Sequence, residues 1–124
     1  MDARLRQWVR ERAGGHCEYC GLPEEREPLP FHVEHIVARQ HGGKDAEANL
    51  ALACHHCNLQ KGPNLSGLDP QTGELTRLFH PRLDDWNEHF TRRGGEISGS
   101  SPVGRTTVAL LRMNEAGRLQ LRDG

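Results

Sequence analysis

Apolar positions fall in short blocks whose spacing changes from helical to extended along the chain. Leu5, Trp8 and Val9 at i, i+3 and i+4 predict a helix from Asp2 to about Ala13, with these three as its buried stripe. Asp2 serves as its cap and Gly14-Gly15 stops it. Cys17-Glu18-Tyr19-Cys20-Gly21 reads as a tight knuckle, and residues 22–30, rich in proline and charge, read as a surface loop. Phe31 to Val37 is the best strand, with Phe31, Val33, Ile36 and Val37 as its apolar members. Gly42-Gly43 predicts a turn and Asp45 a cap for a short helical stretch to Asn49. Apolar Leu50 to Ala53 leads to a second knuckle, Cys54-His55-His56-Cys57. A helix continues from there to Lys61 and ends at Gly62-Pro63.

The second half has another rhythm. Leu65 to Leu68 and Glu74 to Phe79 flank Asp69-Pro70-Gln71-Thr72-Gly73 as a hairpin, and Trp86 to Arg92 with Glu96 to Ser98 flank Gly94-Gly95 as another. Ser101-Pro102 opens a helix whose Val103, Thr107, Leu110 and Leu111 share one face. Leu119 and Leu121 alternate with polar residues across 118–122, which predicts an edge strand. The expected organisation is a single domain over 1–124, with a core at 14–62 and a C-terminal extension at 63–124 packing on it.

Composition adds constraints. The 124 residues are 35% hydrophobic but only 5% aromatic, so something besides apolar burial is expected to hold the fold. No apolar run approaches a membrane span, and the first twelve residues lack the apolar segment of a secretory signal. The expected compartment is therefore reducing and cytoplasmic, with no membrane partner. A formal charge of −1 gives no basic footprint for nucleic acid. Yet 14 of the 16 cationic side chains are arginine, suited to phosphate recognition or equally a compositional bias.

The four cysteines form two C-x2-C pairs, Cys17 with Cys20 and Cys54 with Cys57, separated by 33 residues. Two residues between ligands let one turn offer both sulfurs to one ion. Two such knuckles complete the tetrahedral thiolate shell that zinc favours. The expected zinc is structural, because four sulfurs leave it no open position.

Between and just after the knuckles lie Glu34-His35-Ile36, Gly42-Gly43, Asn49-Leu50 and Cys57-Asn58-Leu59-Gln60-Lys61-Gly62. This order resembles the HNH nuclease family over about Cys17 to Gly62. The resemblance implies an α+β fold: a zinc-stapled ββα-metal (HNH/His-Me) core, here with an added C-terminal β-hairpin/helix segment. It implies a one-metal hydrolysis of DNA phosphodiester bonds, giving 5′-phosphate and 3′-hydroxyl ends. His35 matches the general base. Glu34 and Asn58 match the ligands of a catalytic divalent ion, Mg2+ or Mn2+. Asn49 matches the residue that clamps the neighbouring loop and positions His35. The chain departs from the family pattern in carrying Asn58 where His is common and Ala38 where Pro is common. Lys61, on the face of Cys54, Cys57 and Asn58, and more weakly His41, are expected to meet substrate phosphate. His55 and His56 are expected on the surface. The motif admits RNA as well as DNA, and the alternative is a non-catalytic zinc module that binds nucleic acid or protein.

Overall fold

The structure, a computed structural model, describes residues 1–123. It has mixed α+β architecture with three two-stranded antiparallel sheets, and contacts divide the chain into two compact units that meet between Pro63 and Asn64. Among the described residues, no helix is long and apolar enough to cross a membrane.

The first unit opens with helix α1 (Ala3–Ala13). The Asp2 carboxylate accepts from the Arg4 amide at 2.9 Å, and Gly14 ends the helix in the left-handed region. Strand β1 (His32–His35) pairs with β2 (Leu50–Ala53), His32 opposite Ala53 and His35 opposite Leu50. Helix α2 (His55–Lys61) follows directly. All four residues of β2 are buried, so it forms the centre of this unit.

The expected stripe of α1 holds only in part. Val9 is fully buried, but Trp8 is 41% exposed and carries the Arg12 guanidinium 4.5 Å from its ring centre. What docks the helix besides Val9 is arginine. Arg10 donates to the Phe31 carbonyl at 2.8 Å and to Glu24 at 3.1 Å, and Arg12 donates to the carbonyls of Glu47 and Leu50 at 2.9 and 2.6 Å. These fork-shaped donors satisfy carbonyls that the short strands leave unpaired.

The second unit contains β3 (Ser66–Leu68) paired with β4 (Leu75–Arg77), then α3 (Trp86–His89), and β5 (Phe90–Arg93) paired with β6 (Glu96–Gly99). Helices α4 (Pro102–Leu110) and α5 (Arg118–Arg122) complete it. The Ser101 hydroxyl accepts from the Gly104 amide at 3.0 Å, as the Ser-Pro start predicts. Phe79, Phe90, Ile97, Leu111 and Met113 form the core, with Phe79 edge-on to Phe90 at 5.2 Å.

Two expectations are corrected here. The stretch expected as strand 86–92 begins as a helical turn, because the Asp85 side chain accepts from the Asn87 amide and nucleates α3. The expected edge strand at 118–122 is α5. Its inward residue is Arg122, 1% exposed, which donates to Gly95 O at 2.9 Å, to Asn114 Oδ1 at 3.2 Å and to Met113 O. Over five residues a period of two is not separable from helical spacing when the buried residue is a cation.

Asp69, at the β3–β4 turn, is buried and receives Arg105 Nε and Nη2 at 3.1 and 2.8 Å. These bonds hold its carboxyl down at about 2. A native value below the unfolded one means stability is full above the unfolded value and falls as pH drops towards the native one. Urea midpoints of the wild-type protein should therefore fall between about pH 4 and pH 2. Those of Asp69→Asn should start lower and change less across that interval.

Candidate active site

The site rests on the four thiols. All four Sγ atoms lie within 4.8 Å of one another, all four cysteines are buried, and none is in a disulfide. Zinc–thiolate bonds of about 2.3 Å in a tetrahedron set sulfurs about 3.8 Å apart, and Cys20 Sγ and Cys54 Sγ are 3.9 Å apart. The donor set therefore fits zinc. The amides of Cys20 and Cys57 point at Cys17 Sγ and Cys54 Sγ at 3.5 and 3.3 Å, which stabilises thiolate charge. Glu18, inside the first knuckle, bonds Leu52 twice: its amide donates to Leu52 O and its carboxylate accepts from Leu52 N, both at 2.8 Å. The first knuckle is thereby stitched to β2, and Cys54 caps α2.

On this frame β1 ends at His35, and β1 and α2 wall an open cleft of about 480 Å³ to which His32, Glu34, His35, Arg39 and Asn58 all contribute. Glu34 and His35 are strand neighbours and diverge as the pleat requires. Glu34 turns inward and is 8% exposed. Its carboxylate accepts from the Tyr19 hydroxyl and from Lys61 Nζ at 3.3 Å. Burial pushes its carboxyl above the usual range, with Lys61 and Tyr19 pulling against that. His35 turns the other way, and its Nε2 lies 2.6 Å from Asp45 Oδ1. Arg39 Nη2 is 2.9 Å from both oxygens of Asp45. These bonds hold the Asp45 carboxyl down at about 2.

Asn49 clamps the intervening loop. Its Oδ1 accepts from Val37 N at 2.9 Å, and its Nδ2 donates to Val37 O and Lys44 O at 3.0 Å each. Asn49 thus bonds backbone and not the His35 ring, so any influence on that ring passes through the loop. Gly43 is needed beneath the clamp. A Cβ there would fall 1.6 Å from the Val37 carbonyl oxygen.

Residues 17–64 match the family model described as HNH endonuclease. That segment is an HNH domain. The Septu protein PtuB of Bacillus thuringiensis is 27% identical over 116 residues, covering 88% of this chain. The chain spans 40% of the length of that relative. No solved structure matches the chain.

Within the HNH segment the expected site residues separate into groups. His35, Glu34 and Asn58 share the cleft, but the bonds of the carboxylate and the imidazole run to different partners. Lys61 is corrected: it is 2% exposed, and its ammonium donates to Glu34, His35 O and Ile36 O at 3.3, 3.4 and 2.9 Å, so it cannot reach a phosphate. The i, i+7 spacing from Cys54 put it on the zinc-facing side, and that side is interior. His41 is exposed on the turn Arg39–His41 and is not part of the cleft wall. Asp45 does not cap the turn Glu47–Asn49, whose N-terminus at Ala46 has no side-chain bond. Its carboxylate is engaged by His35 and Arg39 instead. His55 is exposed as expected, with its Nδ1 3.1 Å from His32 Nε2. Tyr19 and Asp45 escaped the sequence reading. The Gly42-Gly43 turn was the available signal for Asp45, since it folds the chain back towards the end of β1.

The donor chemistry of the cleft suits a hard divalent ion. Glu34 keeps lone pairs beyond its two bonds, and Asn58 offers an amide oxygen.

Chelator treatment or Cys54→Ser should remove one zinc per chain, read by atomic absorption. It should also lower the melting temperature steeply, since thiolate binding supplies on the order of 10 kcal/mol to folding. Gly43→Ala should keep the zinc and disorder the 37–45 loop, read as lost amide protection there.

Proposed function

We propose that the HNH segment makes this protein a metal-dependent endonuclease that hydrolyses DNA phosphodiester bonds, with His35 as general base. One observation carries the reading. The HNH-matched hairpin and helix, braced by the thiol cluster, open a single cleft with an accessible imidazole at the strand end and oxygen donors beside it.

In this reading Glu34 and Asn58 hold Mg2+ or Mn2+, which when bound supplies positive charge for the phosphate oxygens. His35 takes a proton from water as the water oxygen attacks phosphorus. The bond from phosphorus to the 3′ oxygen breaks and that oxygen takes a proton from solvent water, leaving a 5′-phosphate and a 3′-hydroxyl. Asn49 keeps the loop beside His35 in place. Lys61 neutralises Glu34 from inside and leaves phosphate contact to groups on the open side, of which Arg39, 64% exposed, is one. The zinc stays structural. The protein works in the cytoplasm.

A second reading is favoured by the Glu34 bonds. A carboxylate already held by Tyr19 and Lys61 suits a domain that binds nucleic acid without cutting it.

Purified protein with Mg2+ or Mn2+ should nick supercoiled plasmid, seen as relaxed circles on a gel. His35→Ala should slow nicking by about 10²–10⁴-fold with zinc content and melting unchanged. Retarded DNA with no nicking in any divalent ion would support the binding module, and cleavage confined to an RNA transcript would reassign the substrate.

A further inference from the structure

We propose that Asp45, fixed by Arg39, is a positioning residue that holds neutral His35 in the Nε2–H tautomer, so that Nδ1 is the atom that accepts the proton from water. This rests on the nuclease reading for its catalytic consequence. The geometry behind it is independent of that reading.

Asp45 Oδ1 sits 2.6 Å from His35 Nε2, a short contact for a nitrogen and a carboxylate oxygen. An ionised carboxylate only accepts hydrogen bonds, so the ring nitrogen facing it must donate. A neutral imidazole has one N–H, which leaves the lone pair on Nδ1. Arg39 Nη2 bridges both Asp45 oxygens at 2.9 Å. The His35 bond first, and Arg39 after it, hold the Asp45 carboxyl down at about 2. Asp45 is in turn held by the loop. Asn49 ties Val37 and Lys44 together, and Gly43 allows the backbone to pass against Val37. The influence of Asn49 on His35 thus runs through Lys44 to the adjacent Asp45 and from there to the ring. In the reaction, water gives its proton to Nδ1 while Nε2–H stays on Asp45, which steadies the imidazolium that forms.

Long-range proton–nitrogen correlation spectra of uniformly 15N-labelled full chain read the tautomer without substrate. At alkaline pH, wild-type His35 should show Nε2 as the protonated nitrogen and Nδ1 as the bare one, and Asp45→Ala should show the two tautomers mixed. With Mn2+ and plasmid, Asp45→Ala should lower kcat by about 10–100-fold with KM within about twofold. Its zinc content and melting temperature should not change. Asp45→Asn, which can present an N–H to the ring, should shift the population towards Nδ1–H and lose at least as much kcat. A wild-type ring protonated on Nδ1, or Asp45→Ala cleaving at the wild-type kcat, overturns the proposal. A wild-type protein with the expected tautomer that fails to cleave overturns the nuclease reading and leaves the pairing of Asp45 with His35 standing.

Discussion

Four sulfurs brought within reach of one ion are the constraint on which the first unit depends. The apolar core here is thin, and β1 and β2 have four residues each, too few for a hairpin to persist unaided. The thiol cluster joins the 17–20 knuckle to the point where β2 becomes α2. Glu18 adds two backbone bonds to Leu52 at the same junction. Both walls of the cleft are therefore referenced to one rigid point: β1 by pairing with β2, and α2 by starting at Cys54. The geometry at the strand end inherits its precision from the thiol cluster rather than from a large core.

A second layer of organisation is electrostatic and divides along the pleat of β1. Inward, Glu34, Tyr19 and Lys61 form a buried polar cluster whose charges offset each other. A buried carboxylate alone would be protonated or expelled, and the ammonium beneath it keeps it usable. Outward, His35 meets Asp45 and Arg39 on the loop that Asn49 clamps. Successive residues of one strand thus serve two environments, one dry and one open to solvent. That division keeps the carboxylate and the imidazole of one dipeptide on separate partners.

The arginine richness finds a structural use. Arg10 and Arg12 tie α1 to carbonyls, Arg105 holds Asp69, and Arg122 sits buried among Gly95, Met113 and Asn114. Short strands and turns leave many carbonyls without ladder partners, and the guanidinium fork satisfies two or three at once. The count of arginines therefore says little about phosphate contact.

The sequence by itself determined the four-thiol cluster, the order of elements around it, the caps at Asp2 and Ser101, the first hairpin of the second unit and the place of Glu34, His35 and Asn58 in the cleft. Each is a local rule: ligand spacing, cap chemistry, a turn-rich segment or a short motif. The loop clamp of Asn49 was also legible, because an amide with both donor and acceptor has an evident backbone use. Tertiary structure decided the rest. Lys61 went inside because its helix face is the zinc face. Residues 118–122 became a helix because Arg122, a charged residue, is the one that points inward. Asp45 faces His35 because a glycine turn reverses the chain, and spacing along a sequence carries no information about which side chains meet across such a reversal.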